Sequence, residues 1–400
     1  MNAQLLNSYD CGEWVISLVS LPKHGIVAAT SDGHLLLLPH DPSQGIIRKF
    51  KAHDQTINKI RVIDDNRIAS CSNDCTVKVW DFSKPENTTP LATLTNSHGV
   101  PFLSLDSKHG LLAAGTELSG VDAELVIWDL NDLEKPLRSF IDSHNDDIMD
   151  VKFHPTRKNL LLSGSTDGYV NLYDLNIKDE EDALLQVINF ESIHSVNLLA
   201  DARIYTLSHM ETLAIHEMSN LAVEEAVEPK PKEFGDVRES WGCEYVVDLI
   251  GPGYVACGSN SKGELKLFKF DPAAEEFNVD EKQVILFPRG HGEEVVRDLV
   301  VYNGLIYTGG EDKTVKVWKA PSELVNTTVD FFVGEKEPVD EEMATMEQLI
   351  NEEEEKEKKH KHKHKHKHHH KDKKDKKDKS DKKGGKSKKE KKHSHRFKPY

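Results

Sequence analysis

Short apolar runs separated by turn residues recur along the first 320 residues of the chain. In the clearest segment, a Gly290-His pair precedes a β-branched run, a second run ends at Thr308, Asp312 occupies a tight turn, and a third run ends at Trp318. Runs of this length, rich in β-branched residues and bounded by turn residues, are typical of short antiparallel strands. The sequence therefore predicts an all-β fold over this part of the chain.

The same pattern repeats at a nearly constant spacing. The third run of each segment ends near Leu37, Trp80, Trp128, Tyr173, His216, Phe268 and Trp318. The intervals of 43 to 52 residues match the period of about 40–45 residues of a propeller blade, with loop insertions. Seven blades are predicted. Because an open edge strand invites aggregation, residues near Gln4 to Asn7 are predicted to close the ring as the outer strand of the last blade.

The repeating segment resembles a WD repeat, the four-stranded blade of a WD40 β-propeller, and this likeness covers residues 14–318. Four stretches are similar to the WD repeat-containing protein 89 family: Asp122–Asp129, Ser143–Pro155, Val170–Leu184, and Gly290-His with Thr308-Gly-Gly-Glu-Asp312. The resemblance implies a small intracellular propeller located in the nucleus. It does not extend to the Lys/His-rich end of the chain.

Four positions recur in the best-formed segments. His53 and Trp80 are separated by 27 residues, as are His291 and Trp318. In WD repeats these positions form a buried relay from Trp through Ser/Thr and His to Asp, with a fixed direction because Trp only donates and carboxylate only accepts. The residues assigned to such structural networks are His53, Ser70, Asp74, Trp80, His144, Ser163, Asp167, Tyr173, His291, Thr308, Asp312 and Trp318.

The Ser, His and Asp residues are not interpreted as a catalytic triad. Each set repeats once per blade and is expected to lie inside it, and Ser163 belongs to a second strand, as Ser70 does. The sequence contains no phosphate-binding Gly-rich loop, H-E-x-x-H motif or nucleophile elbow. A non-enzymatic protein without a cofactor is therefore predicted.

Five scattered cysteines indicate a reducing compartment rather than a disulfide framework. Cys71 and Cys75 lie within one blade, but no further Cys or His pair completes the four ligands of a structural zinc site. No apolar run approaches the roughly 18 residues that span a bilayer, and the N-terminus lacks the features of a signal peptide. No membrane association is expected.

Charge divides the chain into three parts. Residues 1–320, the predicted propeller, carry a net charge of −21; residues 321–355, an acidic linker, carry −11; and residues 356–400, a Lys/His-rich tail, carry +16. The linker contains a possible docking segment, Val329–Val333, and a short helix beginning near Asp340. That helix is interpreted either as a solvated acidic helix or as one that docks on a partner. The tail has almost no apolar residues and is expected to be disordered.

The tail has several open interpretations. Four roles are considered: a nuclear or nucleolar localisation signal, an arm that binds nucleic acid without sequence specificity, a metal-binding tract, and a solvated extension without a dedicated role. The lysines assigned to targeting are Lys371, Lys373, Lys374, Lys386, Lys388 and Lys389. The histidines considered for metal are His360, His362, His364, His366 and His368.

The acidic body leads to the main functional prediction. A propeller of charge −21 attracts basic proteins and repels nucleic acid, so we expect a protein-interaction scaffold for basic nuclear partners such as ribosomal proteins or histones, with the tail competing for the acidic surface. The alternative is a nucleic-acid-associated factor that makes weak, non-specific contacts through its tail. The propeller is expected to be monomeric outside a complex. Loop Gly115–Glu124 is singled out as a binding loop because it breaks the repeat.

Overall fold

The computed structural model describes residues 1–321 except 85, 200–201, 220–229, 251–252, 272–273 and 281. Seven antiparallel sheets follow one another along the chain and form a seven-bladed β-propeller, as predicted. The strands of the first three blades, from inner to outer, are β2 (Val15–Leu21), β3 (Gly25–Thr30), β4 (His34–Leu38) and β5 (Arg48–Lys51); β6 (Ile57–Val62), β7 (Arg67–Ser72), β8 (Thr76–Asp81) and β9 (Ala92–Thr95); β10 (Phe102–Lys108), β11 (Leu111–Thr116), β12 (Leu125–Asp129) and β13 (Arg138–Phe140).

The remaining blades follow the same order, with one extra strand. Their strands are β14 (Ile148–Phe153), β15 (Leu160–Ser165), β16 (Tyr169–Asp174) and β17 (Leu184–Asn189); β18 (Ile193–Leu199), β19 (Arg203–Ser208), β20 (Thr212–Glu217) and β21 (Lys232–Asp236); β22 (Tyr245–Ile250), β23 (Tyr254–Ser259), β24 (Glu264–Asp271), β25 (Glu276–Asn278) and β26 (Ile285–Phe287); β27 (Val296–Tyr302), β28 (Leu305–Gly310), β29 (Thr314–Lys319) and β1 (Gln4–Asp10). Two short helices, α1 (Glu180–Ala183) and α2 (Val237–Trp241), precede β17 and β22.

The predicted closing strand is confirmed. Strand β1 pairs antiparallel with β29, with Leu5 opposite Trp318 and Tyr9 opposite Val315. The pairing joins the two ends of the propeller sequence in one sheet, so β29 has a partner on both sides. Blade 7 therefore closes the ring by sharing its strands between the two chain ends.

Every inner strand has a register irregularity near its start. The shift falls between Val15 and Ser17 in blade 1, between Ile57 and Lys59 in blade 2, and at the corresponding residues of the other five blades. A bulge of this kind bends the strand and redirects its side chains. The seven bulges give the innermost layer of the ring one repeated geometry.

The core lies between neighbouring blades. In one cluster, Trp80 of blade 2 packs against Phe50 of blade 1, with ring centroids 5.3 Å apart. The same arrangement recurs in blade 7, where Trp318 meets Phe287 of blade 6 at 5.3 Å. A large aromatic residue at the end of the third strand therefore fastens each of these blades to its predecessor.

Strand order defines two faces. The upper face carries the connections from each outer strand to the next inner strand and the turns between second and third strands. The lower face carries the turns between inner and second strands and the connections from third to outer strands. Within the described part of the chain, no helix is long and apolar enough to cross a membrane.

Candidate protein-interaction face

The recurring polar residues meet inside the blades. In blade 2 the Trp80 indole N–H donates to Ser70 Oγ at 2.8 Å, His53 Nε2 lies 2.7 Å from that oxygen, and His53 Nδ1 lies 2.9 Å from Asp74 Oδ2. Because the indole nitrogen only donates and the carboxylate only accepts, the chain runs from Trp80 to Asp74.

Blade 7 contains the same chain. Trp318 Nε1 donates to Thr308 Oγ1 at 3.0 Å, and His291 joins Thr308 (2.7 Å) to Asp312 (2.6 Å). The Asp312 carboxylate also accepts from the Thr314 hydroxyl and forms an ion pair with Lys316. The turn carboxylate is thus held by the strand that follows it.

Blade 4 contains a variant of the network. His144 lies 2.7 Å from Ser163 Oγ and 2.9 Å from Asp167 Oδ2, while the hydroxyl of Tyr173, in place of an indole, lies 3.4 Å from Ser163. Asn171 donates to that hydroxyl at 3.2 Å and to the Ser143 carbonyl at 2.8 Å. The sequence comparison missed Asn171 because the other networks have no amide at this position.

Burial and hydrogen bonding set the charges of these networks. Burial lowers the pKa of His53 and His291, against the opposing effect of the neighbouring carboxylates. Burial alone would raise the pKa of Asp74 and Asp312, but the hydrogen bonds from His53 and His291 hold both below their usual range. A neutral imidazole next to an ionised carboxylate follows, with the Nδ1–H donating to Asp.

Blade 3 departs from the predicted pattern. The sequence aligns His98 with the network histidines, but the His98 side chain is 46% exposed and forms no such chain. Glu124 takes its place inside the blade: it is buried, its carboxylate accepts from Ser97 N–H (2.9 Å) and Ser97 Oγ (2.7 Å), and its N–H donates to Thr116. The longer loop before Glu124 brings this carboxylate into the blade, and the His98 imidazole lies outside it, 3.9 Å from Glu124 Oε2.

Blade 5 replaces the aromatic residue by a histidine. His216 ends the third strand, is buried, and lies 3.1 Å from Thr206 Oγ1. Burial lowers its pKa to about 4, so the ring is neutral. The sequence predicted the strand end here but not this contact.

Polar residues of the inner strands line a central cavity of about 870 Å³. Several of them link neighbouring blades: Asp298 accepts from Ser17 Oγ (2.9 Å) and Leu18 N–H (2.8 Å), and Asp106 accepts from Phe153 N–H (2.8 Å). Burial alone would lower the pKa of Arg61, but Asp106 and the other carboxylates around it raise it. These side chains connect neighbouring blades at the wall of the cavity, so we assign them a structural role.

The upper face is strongly acidic. Its connections carry nineteen acidic and four basic residues, whereas the described connections at the opposite strand ends carry eleven and seven. The upper-face acids are Glu13, Asp32, Asp54, Asp74, Glu117, Asp122, Glu124, Asp142, Asp146, Asp147, Asp167, Glu191, Glu211, Glu239, Glu244, Glu293, Glu294, Glu311 and Asp312, and its basic residues are Arg238, Lys262, Arg289 and Lys313. Among the connections that the structure describes, the negative charge is therefore concentrated on the upper face.

The most one-sided part of this face spans blades 3 to 5. We call the connections 117–124, 141–147, 166–168, 190–192 and 209–211 the acidic arc. It contains nine of the acidic residues and neither lysine nor arginine. Burial raises the pKa of one member, Glu211, to about 7, so that residue contributes less negative charge than the others.

The acidic arc is a connected structure. Leu118 N–H donates to the Asp147 carboxylate at 2.8 Å, Ala123 N–H to the His144 carbonyl at 3.0 Å, and Thr166 N–H to the Asp147 carbonyl at 3.0 Å. These bonds fix the long loop of blade 3 against the connection and turn of blade 4. The loop that breaks the repeat is thus a rigid part of the face.

Large apolar side chains stand exposed within or beside the acidic arc. Val121 is 75% exposed, Met210 59%, Ile141 44% and Tyr169 36%. Exposed apolar groups bordered by charges are a common feature of protein-binding surfaces. The arc therefore combines a uniform negative charge with apolar anchor positions.

The described residues contain no group of three or more metal-ligating side chains, and all five cysteines are free. The linker segment Val329–Val333, the helix predicted near Asp340, and the targeting lysines and histidine tract of the tail lie outside the described residues. Their roles stay predictions.

Comparison with known proteins agrees with the fold. The model of the WD domain, G-beta repeat, matches residues 44–81, 134–174 and 282–319. An uncharacterized WD repeat-containing protein of Saccharomyces cerevisiae is 45% identical over 323 residues, which cover 78% of this chain and 80% of the relative. The WD repeat-containing protein 89 homolog of Dictyostelium discoideum is 29% identical over 325 residues, covering 78% and 84%.

A more distant similarity extends to the histone acetyltransferase type B subunit 2 of Candida glabrata, 26% identical over 302 residues that cover 70% of this chain and 67% of the relative. WD40 propellers are in general non-enzymatic scaffolds that bind protein partners. The repeat geometry, the matched repeats and the yeast relative together establish the family. The chain belongs to the WD-repeat family of β-propeller proteins and, within it, resembles the WD repeat-containing protein 89 group.

Proposed function

We propose that this protein is a non-enzymatic interaction scaffold whose upper face binds basic protein partners. One observation carries the proposal: nineteen acidic residues against four basic ones on the connections of that face, with nine acids and no lysine or arginine in the acidic arc. Two of the four cations are already paired, Lys313 with Glu13 and Arg238 with Asp236. Cations of the strands also pair with Asp74, Glu311 and Asp312. These three acids lie outside the acidic arc, so the arc is the part of the face where the negative charge is least opposed.

A field of this kind acts mainly on the rate of association. Like charges spread over one face attract a basic partner from beyond contact distance and raise its association rate, and salt screens the effect within about 8–10 Å at physiological ionic strength. Affinity then depends on short-range contacts. Val121, Ile141 and Met210 provide apolar surface at which a docked partner excludes water.

Histones and ribosomal proteins are basic proteins of the required kind. The similarity to the Candida glabrata histone acetyltransferase subunit supports the histone class. A nuclear or nucleolar location suits such partners, and the lysine clusters of the tail are the proposed address. An assembly factor or chaperone for newly made basic proteins combines these features.

The competing function is non-specific nucleic-acid contact through the Lys/His-rich tail. The full chain and a variant ending at residue 355 are compared for binding to core histones, to ovalbumin as an acidic control, and to a single-stranded RNA. We expect both proteins to bind histones, more weakly at higher salt, and neither to bind ovalbumin. Loss of histone binding on tail removal, or RNA binding that exceeds histone binding and disappears with the tail, contradicts the proposal.

A further inference from the structure

A groove without acidic residues lies at the lower edge of the ring, where blades 3 and 4 meet, in contrast to the acidic upper face. It encloses about 740 Å³. We call it the lower-edge groove; its lining consists of Leu111, Ile127, Leu137, Arg138, Lys158, Asn159, Leu175, Asn176 and Lys178. None of the nine is acidic, although the propeller as a whole carries a large excess of negative charge. The contrast with the upper face separates this surface from the site proposed above.

The floor of the groove is apolar and continuous with the core. Leu111 and Leu175 pack against the buried cluster shared by blades 3 and 4, and Ile127 belongs to that cluster. Leu137 stands at the rim and is 61% exposed. Three aliphatic side chains reach the surface here, Leu111, Leu137 and Leu175, and they favour a partner that brings apolar groups of its own.

The rim of the groove is cationic. Lys158 and Lys178 are exposed, and the Arg138 guanidinium is fixed above the Phe140 ring, 4.1 Å from its centroid, while it donates to the Lys178 carbonyl at 3.0 Å. Burial lowers the pKa of Arg138 from its ordinary value, although the nearby carboxylates act in the other direction. An arginine is nevertheless charged at neutral pH, so three cations border the aliphatic floor.

The carboxylates that act on Arg138 are engaged by backbone N–H groups. Glu180 accepts from Ile141 N–H (3.0 Å) and Asp142 N–H (2.9 Å), Asp179 accepts from Glu181 N–H (3.1 Å), and Asp174 accepts from Asn176 N–H (2.8 Å). Their charge is partly balanced by these donors. Since the Debye length is about 8 Å at physiological salt, the more distant acids of the upper face are largely screened.

We infer that the lower-edge groove docks an acidic partner segment whose aliphatic side chains lie along one face of a helix. The aliphatic groups of the segment would cover Leu111, Leu137 and Leu175, and its carboxylates would meet Lys158, Lys178 and Arg138. An amphipathic helix in a groove is a common mode of peptide recognition. The apolar floor selects against nucleic acid, which offers phosphates but no aliphatic face. The protein then carries two surfaces of opposite preference, and this second one does not depend on the first.

The structure provides a matched pair of leucines for the test. Leu137 N–H donates to the Ile127 carbonyl at 2.8 Å, and Leu91 N–H donates to the Val79 carbonyl at 2.7 Å at the equivalent position of blade 2. Leu91 is also exposed, at 53%, but does not line the groove. Lys84 is an exposed lysine on the corresponding connection of blade 2. Leu91→Glu therefore controls for the leucine change, and Lys84→Glu controls for the reversal of a single lysine charge, outside the groove.

The probe is a fluorescein-labelled helical peptide of glutamate and leucine, with leucines at the i, i+3, i+4 and i+7 spacing. A peptide of the same composition in scrambled order and one with lysine in place of glutamate are its controls. Binding to the full-length protein is followed by fluorescence anisotropy, and the thermal midpoint of each variant verifies folding. We expect micromolar binding of the patterned acidic peptide only. Leu137→Glu and the double variant Lys158→Glu/Lys178→Glu should each weaken it by about tenfold or more.

Leu91→Glu and Lys84→Glu should change the affinity by less than about twofold. The inference is overturned if the folded wild-type protein does not bind the patterned acidic peptide, if the scrambled or lysine peptide binds equally well, or if Leu91→Glu weakens binding as much as Leu137→Glu. Histone binding by the same variants is measured in parallel. Unchanged histone binding distinguishes failure of this groove from failure of the upper face.

Discussion

At the scale of single residues, the repeated His, Ser/Thr, Asp and Trp side chains have a structural role inside the blades. In blades 2 and 7 each donor meets an acceptor, and the imidazole lies between a hydroxyl and a carboxylate with both ring nitrogens engaged. A histidine buried in this way is fixed in one tautomer and is not available as a catalytic base. We therefore propose that these networks stabilise the blades and take no part in recognition.

The blade 2 and blade 3 histidines give a matched prediction for this role. His53→Ala leaves Ser70 and Asp74 without a buried partner, which should lower the free energy of unfolding by about 3 kcal/mol. His98→Ala, at the aligned but exposed position, should change it by less than about 0.5 kcal/mol. Equilibrium unfolding in urea, followed by circular dichroism, measures both. Equal changes in the free energy of unfolding would mean that the buried hydrogen bonds of His53 add nothing to stability, and would contradict the structural role.

Buried neutral histidines predict a pH dependence. Burial lowers the pKa of His154 and His216 to about 4 in the folded protein, whereas an unfolded histidine has a pKa of about 6.5. Between these values the unfolded chain binds more protons at these two histidines, so their contribution to the free energy of unfolding falls as the pH decreases from about 6.5 towards 4. Glu211, whose pKa burial raises to about 7, contributes in the opposite direction over this range. Asp74 and Asp312, whose pKa values lie below the usual range, contribute to the loss only at still lower pH.

A variant assigns part of this dependence to one residue. His216→Phe places at the end of the third strand the residue type found there in blade 6, Phe268. Its thermal midpoint should decline less than that of the wild type between pH 7 and pH 4.5. Parallel declines in the two proteins would indicate that His216 is not among the groups responsible.

Sequence spacing indicates residue contacts in the blades that keep the histidine, the hydroxyl residue and the turn aspartate. His53, Ser70, Asp74 and Trp80 have the same spacing as their counterparts in blade 7, and the two sets form the same hydrogen-bond chain. His98 aligns with these histidines in the sequence, but in blade 3 the eight-residue loop 117–124 brings Glu124 into the blade instead. Contacts across the cavity, such as that of Asp298 with Ser17, join residues 281 positions apart and have no local signal in the sequence.

At the scale of elements, the feature on which closure of the ring depends is strand β1. Strand β1 supplies the outer edge of blade 7 and places Tyr9 in a buried cluster with Val315 and Val317. The sequence predicted this strand because a ring needs it, and an apolar stretch was available at the N-terminus. Its length, Gln4–Asp10, exceeds the predicted Gln4 to Asn7. The end of the strand is set by its pairing with β29, which continues to Asp10 opposite Thr314.

Removal of residues 1–10 should open the ring. Strand β29 would lose its outer partner, and an unpaired edge strand promotes association with other chains. Size-exclusion chromatography with light scattering should detect oligomers and a lowered thermal midpoint for this variant. Removal of residues 322–400 is the matched control and should leave a monomer, because it leaves both strands of the closure in place. A stable monomer without residues 1–10 would contradict the proposed closure.

At the scale of the whole molecule, the fold determines on which face the charged residues lie, whereas the sequence gives only their net charge. The sequence shows that residues 1–320 carry −21, but it does not show which face bears the excess. Strand order supplies that information, because alternate connections lie on opposite faces. Nineteen acidic against four basic residues on one face, and a cationic apolar groove at the other edge, suit a scaffold that holds partners of different chemistry apart.

Charge reversal on one face, with an equal reversal on the other, tests the central claim most directly. The variant Glu117→Lys/Asp122→Lys/Asp142→Lys changes the acidic arc, and Glu86→Lys/Asp132→Lys/Glu134→Lys makes the same change in net charge at the opposite strand ends. The affinity of the full-length proteins for core histones is measured by isothermal titration calorimetry at physiological salt. We predict that the first variant binds at least about tenfold more weakly than the wild type and that the second loses less than about threefold. Equal losses in the two variants would mean that histones respond only to net charge, and would contradict a dedicated binding face.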